Sequence, residues 1–496
     1  MKTLKLLNYA FDQWVPGEGN LAEISSAIDG SPVAITGSGG LDFGGMLRHA
    51  REVGGPALRK LTFHERARII KGLGLAIMAR KEQLYEFSYQ TGATRKDGWI
   101  DIEGGAGTLF SFSSKGRREL PDAHVLLDGP VEPLSKSGSF IGQHIYTPLQ
   151  GAAVHINAFN FPVWGMLEKL APTLLAGMPA IVKPASATAY LCEAAVRIMV
   201  ESGLLPPGSL QLIVGGVGDL FDHLTGQDVV SFTGSASTAL KLRTHSVVQR
   251  ESVKFVAEQD SLNASLLGPD PAPGTPEFDL YVKEVVNEMT VKAGQKCTAI
   301  RRAMAPAEHL DAVEAAIRDR LATTKVGDPR DKESRMGALV SIGQRDDVRA
   351  QIGKLTAAGA RIVAGNPDAT PGIAGGAFME PILLRSDDPW SNAAVHDVEV
   401  FGPVSTVMPY RDMADAIALA NRGMGSLALS LFTHSPDAAR EFIQSAAAYH
   451  GRMLVLNRDN AAESTGHGSP LPVLVHGGPG RAGGSEGMGG GRGVKH

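Results

Sequence analysis

A chain of 496 residues, 43% hydrophobic and 20% charged, is long enough for about two to four domains and for a core that needs no disulfide or metal staple. Its 48 basic and 52 acidic residues leave a formal charge of −4, which provides no basic field for a nucleic-acid backbone. Two cysteines, Cys192 and Cys297, exclude a disulfide framework and a sulfur-based zinc site and suit a reducing compartment. The N-terminus lacks a signal-peptide core and no apolar run reaches the ~18 residues of a membrane helix, so a soluble, cytoplasmic protein is expected.

From residue 150 to 260 short apolar runs alternate with helix-period segments. Ala152–Ile156 reads as a strand, Trp164–Ala176 as a helix and Ala180–Val182 as the next strand. Leu191, Ala195, Ile198 and Met199 then mark one helix face, with Gly203 as its C′ residue. Strands are expected at Leu210–Val214, Val229–Phe232 and Val253–Ala257. This alternation implies a doubly wound parallel sheet, which binds ligands at the carboxyl ends of its strands. Residues 265–276 are proline-rich and read as a surface crossover. Beyond them, Val282, Val285, Val286 and Met289 share one helix face, and helix and strand mix to about residue 460. Residues 477–493 hold ten glycines, either a flexible end or a loop that brings backbone close to a ligand or partner.

Several side chains could carry chemistry. Cys297 lies just past an amphipathic helix, beside Gly294 and between Lys292, Lys296 and Arg301, cations expected to lower its pKa. Cys192, amid Leu191, Ala194 and Ala195, reads as packing. Asn160 follows a strand, where an amide can donate to a developing oxyanion; a turn or N-cap asparagine is the other reading. Glu258 follows another strand and suits a general base, or else is a solvated loop acid. After Ala180–Val182, Lys183 could meet a ribose or phosphate oxygen, and Ser186 could sit beside a 2′-phosphate without repulsion, or simply cap a helix. The glycine fingerprints are weak: Gly216-Val-Gly218 keeps only the first two glycines of a dinucleotide loop, and Gly37-Ser-Gly-Gly40 has the wrong flanks. His64-Glu-Arg-Ala-Arg68 lacks the second histidine of a zinc helix, so no metal site is expected.

Gly294-Gln-Lys-Cys297, Asn160-Phe-Pro162, Lys183-Pro184, Phe232-Thr-Gly-Ser235 and Glu399-Val-Phe-Gly-Pro403 occur in the order and spacing of the aldehyde dehydrogenase superfamily, which the chain resembles over nearly its whole length. Ile156-Asn-Ala-Phe-Asn-Phe-Pro162, Glu258-Gln-Asp-Ser-Leu-Asn263, Ser464-Thr-Gly-His-Gly468 and His476-Gly-Gly-Pro-Gly-Arg-Ala-Gly483 resemble one branch, the CoA-thioester semialdehyde dehydrogenases of aerobic phenylacetate and benzoate degradation. Met166-Leu-Glu-Lys-Leu-Ala-Pro172 leans toward the phenylacetate side.

The resemblance implies an α/β fold with a Rossmann-like cofactor domain (1–125 and 150–262), an α/β catalytic domain (263–460) and a small oligomerisation element (126–149 and 461–496). It implies Cys297 as nucleophile, Asn160 as oxyanion donor, Glu258 as general base and Lys169 as a lysine near that base. Asn157, Phe159, Lys183, Ser186, Gly216, Thr233, Gly234, Ser235, Glu399 and Phe401 are the implied cofactor contacts. Serine at position 186, where NAD-preferring relatives carry a glutamate, favours NADP, with NAD as the alternative. The implied substrate is a CoA-linked aldehyde, and the implied assembly a homodimer whose subunit-joining strand is missing after His496. Ala239 replaces a family glycine and is expected to crowd the cofactor; Gly487 replaces the second of two adjacent glutamates. A broad-range aldehyde dehydrogenase, a CoA-acylating one and a non-catalytic scaffold on the same fold are the alternatives.

Overall fold

Five parallel strands form the first sheet of the computed structural model, which describes residues 3–484 and 488–496. Their spatial order is Lys254–Glu258, Val229–Thr233, Ala153–Ile156, Ala180–Lys183 and Leu210–Leu212. The strand series expected from the alternation is therefore present, with ends shifted by one or two residues. Val154, Ile181, Val182 and Val230 are fully buried, as a sheet covered on both faces requires. The N-terminal hairpin, Leu7–Ala10 paired with Gln13–Pro16, adds antiparallel to Leu212 and closes that edge. No element was read from the sequence before residue 150, although the Phe63–Ala79 helix there buries Phe63, Ala67, Ile70, Leu73 and Ile77 at helical spacing behind a Thr62–Glu65 capping box.

Chain order runs outward from Ala153–Ile156 on one side and resumes with Val229–Thr233 on its other side. The order thus reverses between these two strands. Their carboxyl-end loops splay apart and leave the crevice in which such sheets bind ligands.

The second sheet also has seven strands, in the order Arg361–Ala364, Ile382–Arg385, Val404–Tyr410, Arg302–Pro306, Ala264–Leu267, Ser426–Phe432 and His450–Leu456. All pairs except the first are parallel. One expectation fails here. Residues 265–267 belong to a fully buried central strand, and only 268–275 form the crossover. The prolines at 269, 271, 273 and 276 drew the loop boundary too early, over an apolar run whose ladder partners lie far along the chain.

The Pro162–Ala176 helix joins fold to site. Pro162 occupies its first turn, where the missing N–H costs nothing, and Gly177 ends it at φ 92°. Asp101, from the Arg95–Glu119 helix, accepts hydrogen bonds from Val163 N and Trp164 N. Cys192 Sγ is fully buried 3.2 Å from Pro162 O, in the packing role read from its neighbours. Among the described residues no helix is long and apolar enough to cross a membrane.

Burial pushes the Asp101 carboxyl up to about 7. A carboxyl raised in the folded state stabilises below its unfolded pKa and loses that contribution as pH rises through its folded value. Wild type should therefore lose stability relative to Asp101→Asn, which keeps an acceptor oxygen, as pH climbs from about 4 to 7. Urea midpoints across that range test this; a constant gap between the two proteins would refute it.

Candidate active site

Cys297 sits in the connection between the Pro276–Thr290 helix and the Arg302–Pro306 strand. Three consecutive left-handed residues, Lys292, Ala293 and Gly294 (φ 54°, 50° and 65°), turn the chain sharply there. A Cβ on Gly294 would lie 2.1 Å from Gly402 O, so only glycine fits. Around this turn, Asp97 Oδ1 accepts from Lys292 N, and Asn263 Nδ2 donates to the carbonyls of Cys297 and Ala299. The backbone under the thiol is held from both sides.

The three cations that flank Cys297 in sequence form their hydrogen bonds elsewhere, although Arg301 still feels the Cys297 charge. Lys292 Nζ donates to Thr91 Oγ1, Lys296 Nζ to Glu288 Oε1, and Arg301 to the carbonyls of Gly294, Lys296 and Gly402. The expectation of a thiol pKa lowered by them is overturned: burial raises it well above the ordinary value, and Glu258 raises it further. Charges adjacent in sequence need not face the sulfur, because each of these side chains has found its own partners in the fold.

The thiol instead meets side chains from the other half of the molecule. A cavity is lined by Cys297, Asn160, Glu258, Asn157, Lys169, Glu168, Thr233 and Trp164. Asn157 and Asn160 come from the loop after Ala153–Ile156, and Thr233 and Glu258 end the next two strands along the sheet, so the cavity lies at the reversal of strand order. The Asn160 amide makes no hydrogen bond to the protein among the described residues and is buried against the cavity, which fits a donor kept for a ligand rather than an N-cap. Asn157 Nδ2 and Glu258 Oε1 are likewise buried without hydrogen-bond partners among the described residues. Lys169 Nζ donates to Ile156 O and Asn157 Oδ1, and burial lowers its pKa to about 8.

Most of the remaining expected cofactor contacts follow the carboxyl ends of the first sheet's strands, while Glu399 and Phe401 precede the Val404–Tyr410 strand of the second sheet. Lys183 ends Ala180–Lys183, its pKa lowered by burial and its ammonium without a hydrogen-bond partner among the described residues. Ser186 is exposed three residues on, and the Gly216 carbonyl accepts from Ser38 Oγ. Gly234 N donates to Glu258 O, and Ser235 caps the Ala236–Arg243 helix. Phe159 meets Phe401 edge to face, with 5.7 Å between centroids, and burial pushes the Glu399 carboxyl up to about 7 despite nearby Arg301. None of these expected contacts lines the cavity that holds Cys297. Ala239 does not crowd it: its side chain is buried in the apolar cluster with Phe232 and Val247. Glu486 and Gly487 lie outside the described residues.

The glycine-rich tail is a close-approach loop. Gly483 (φ 128°) passes so near the end of the Glu258 strand that a Cβ would lie 1.9 Å from Ala257 O, and Gln259 N donates to Ala482 O. Its placement delivers a residue that sequence reasoning did not assign to the site. His476 is buried, with Nδ1 2.6 Å from Glu168 Oε1, and Nε2 3.5 Å from Glu258 Oε2 and 4.0 Å from Cys297 Sγ. The only signal was its place in a branch motif.

A cysteine, a carboxylate and an amide without a protein partner among the described residues line one cavity at the switch point of a doubly wound sheet, an arrangement suited to covalent catalysis through a thiol. The aldehyde dehydrogenase family model matches residues 14–468, and the chain belongs to that family. It is 44% identical over 480 residues to the 3,4-dehydroadipyl-CoA semialdehyde dehydrogenase of Aromatoleum evansii, covering 96% of this chain and 93% of that one. It is 55% identical over 161 residues to protein MaoC of Klebsiella aerogenes, covering 32% of this chain and 48% of the relative. In fold it is similar to betaine aldehyde dehydrogenase of Staphylococcus aureus (TM-score 0.85, 23% identity, 99% and 95% of the two chains). It is also similar to PnpE (TM-score 0.82, 22% identity, 98% and 94%).

Replacing Gly294 by alanine forces an L side chain into left-handed backbone against Gly402 O. The expected cost is at least ~1 kcal/mol of stability together with slower turnover, read by chemical denaturation and steady-state assay. Unchanged stability would show that the turn relaxes freely.

Proposed function

We propose that this enzyme oxidises a CoA-linked semialdehyde of aerobic phenylacetate or benzoate degradation to the acid, with NADP as acceptor. The shared cavity of Cys297, Asn160 and Glu258 carries the reaction type. The substrate class is supported by likeness over nearly the full length to the Aromatoleum evansii enzyme.

The residues fit a nicotinamide nucleotide: Asn157 Nδ2 is an orphaned buried donor at the cavity, and Lys183 is a partly buried cation without a counter-ion among the described residues. Lys183 would meet a ribose or phosphate oxygen, and Ser186 brings no negative charge against a 2′-phosphate. When bound, the nicotinamide supplies the hydride acceptor. Cys297 as thiolate attacks the aldehyde carbon, and Asn160 donates to the resulting oxyanion. Loss of hydride leaves a thioester on Cys297. Glu258 then takes a proton from water as it attacks, and the acid leaves. The retained carboxylate, with one oxygen unpartnered among the described residues, favours water over a thiol as the acyl acceptor.

In this reading residues 1–125 and 150–262 hold the cofactor, 263–460 supply the nucleophile, and 126–149 with 461–496 join subunits. The Leu126–Pro133 and Ile141–Tyr146 hairpin exposes Leu127, Val131, Phe140, Ile141 and Ile145, which supports a covered role in an assembly.

Cys297→Ala should abolish turnover and spare NADP binding; near-normal turnover would remove Cys297 from the reaction. Glu258→Gln should give one burst of reduced cofactor and then slow turnover, and equal loss of both phases counts against a role in deacylation. The substrate and cofactor are decided by kcat/KM for a CoA-linked semialdehyde against its free-acid analogue, each with NADP and NAD. The expected order is CoA-linked over free and NADP over NAD.

A further inference from the structure

His476 and Glu168 have no part in the mechanism above, yet both are buried against its nucleophile. Nε2 of His476 stands 4.0 Å from Cys297 Sγ, while Nδ1 lies 2.6 Å from Glu168 Oε1. The Trp164 ring packs beside the imidazole, with centroids 5.2 Å apart. A carboxylate that binds one ring nitrogen fixes the tautomer and leaves the other nitrogen's lone pair toward the sulfur, the geometry of an activated nucleophile. We infer that His476, oriented by Glu168, takes the proton of the Cys297 thiol and so makes the thiolate, leaving Glu258 free for water. His476 is then a catalytic residue and Glu168 a positioning one.

The step balances without a co-reactant. The S–H bond breaks with its electron pair left on sulfur, an N–H bond forms at Nε2, and the pair becomes a thiolate beside an imidazolium. The charged and titratable groups facing His476 are Glu168 from the Pro162–Ala176 helix, Glu258 from the Lys254–Glu258 strand, Arg452 from the His450–Leu456 strand, and Cys297 itself. Burial and Arg452 oppose an imidazolium, but the two carboxylates outweigh them and hold the imidazole above the ordinary histidine value. The thiol is also pushed up, by burial and by Glu258, so it gives up its proton at neutral pH only to a base beside it. Glu258 is the less suited acceptor, since a carboxyl protonated by the thiol could not then activate water.

This inference rests on Cys297 being the nucleophile, but its test needs neither aldehyde nor cofactor, so its failure is distinct from failure of the proposed oxidation. The rate of Cys297 alkylation by iodoacetamide is measured against pH by mass spectrometry, with fully buried Cys192 as an internal control. His476→Gln should raise the midpoint of the profile by at least one unit and slow alkylation at pH 7 about tenfold, because each unit is tenfold in thiolate. Glu168→Gln, which keeps an acceptor and removes the charge, should shift the profile in the same direction by a smaller amount, and carries the test if His476→Gln does not fold. Glu258→Gln should slow alkylation less than either. A wild-type profile in His476→Gln or Glu168→Gln, or equal slowing in Glu258→Gln, would overturn the assignment.

Discussion

Cys297, Glu258, His476 and Glu168 share one buried space, and the charge on each depends on the charge on the others. The ligand-type atoms of the first three lie within 4.8 Å of one another. In a low-dielectric interior two carboxylates and a thiolate repel strongly, and none can ionise cheaply without a compensating cation. The imidazole between the carboxylates is the group that lets the cluster hold a proton and remain close to neutral. Much of the surrounding structure serves to bring these four side chains together and keep them dry.

That convergence depends on backbone that approaches more closely than ordinary residues allow. The Cys297 turn rests on left-handed residues pinned by Asp97 and Asn263, and the tail passes against the end of the Glu258 strand where Gly483 leaves no side chain in the way. Glu168 and Lys169 arrive on a helix whose first turn is tied by Asp101. Two sheets, one helix and one loop therefore each contribute to a cavity that belongs to none of them. A displacement of any one by an ångström would separate hydrogen-bonding groups whose spacing sets their protonation.

The strand–helix alternation between residues 150 and 260 made the first sheet legible, because parallel strands buried on both faces must read as short apolar runs. Cys297, Asn160 and Glu258 could be named because each follows an element whose carboxyl end was identifiable. The N-terminal hairpin and the Ala264–Leu267 strand were not legible. The hairpin is stabilised by pairing with Leu212, about two hundred residues away, and the strand by partners on two distant segments. Their own composition carries little of that information.

Local pattern by itself determined the fold class and the family and put Cys297 forward as the candidate nucleophile, since periodicity and ordered motifs are properties of contiguous residues. Only the tertiary structure decided which charges face that cysteine. Lys292, Lys296 and Arg301, its neighbours in sequence, turn to other partners, while Glu258 and His476, distant in sequence, adjoin it. Electrostatic interaction follows distance through space, and each of those three side chains has found its own partners in the fold.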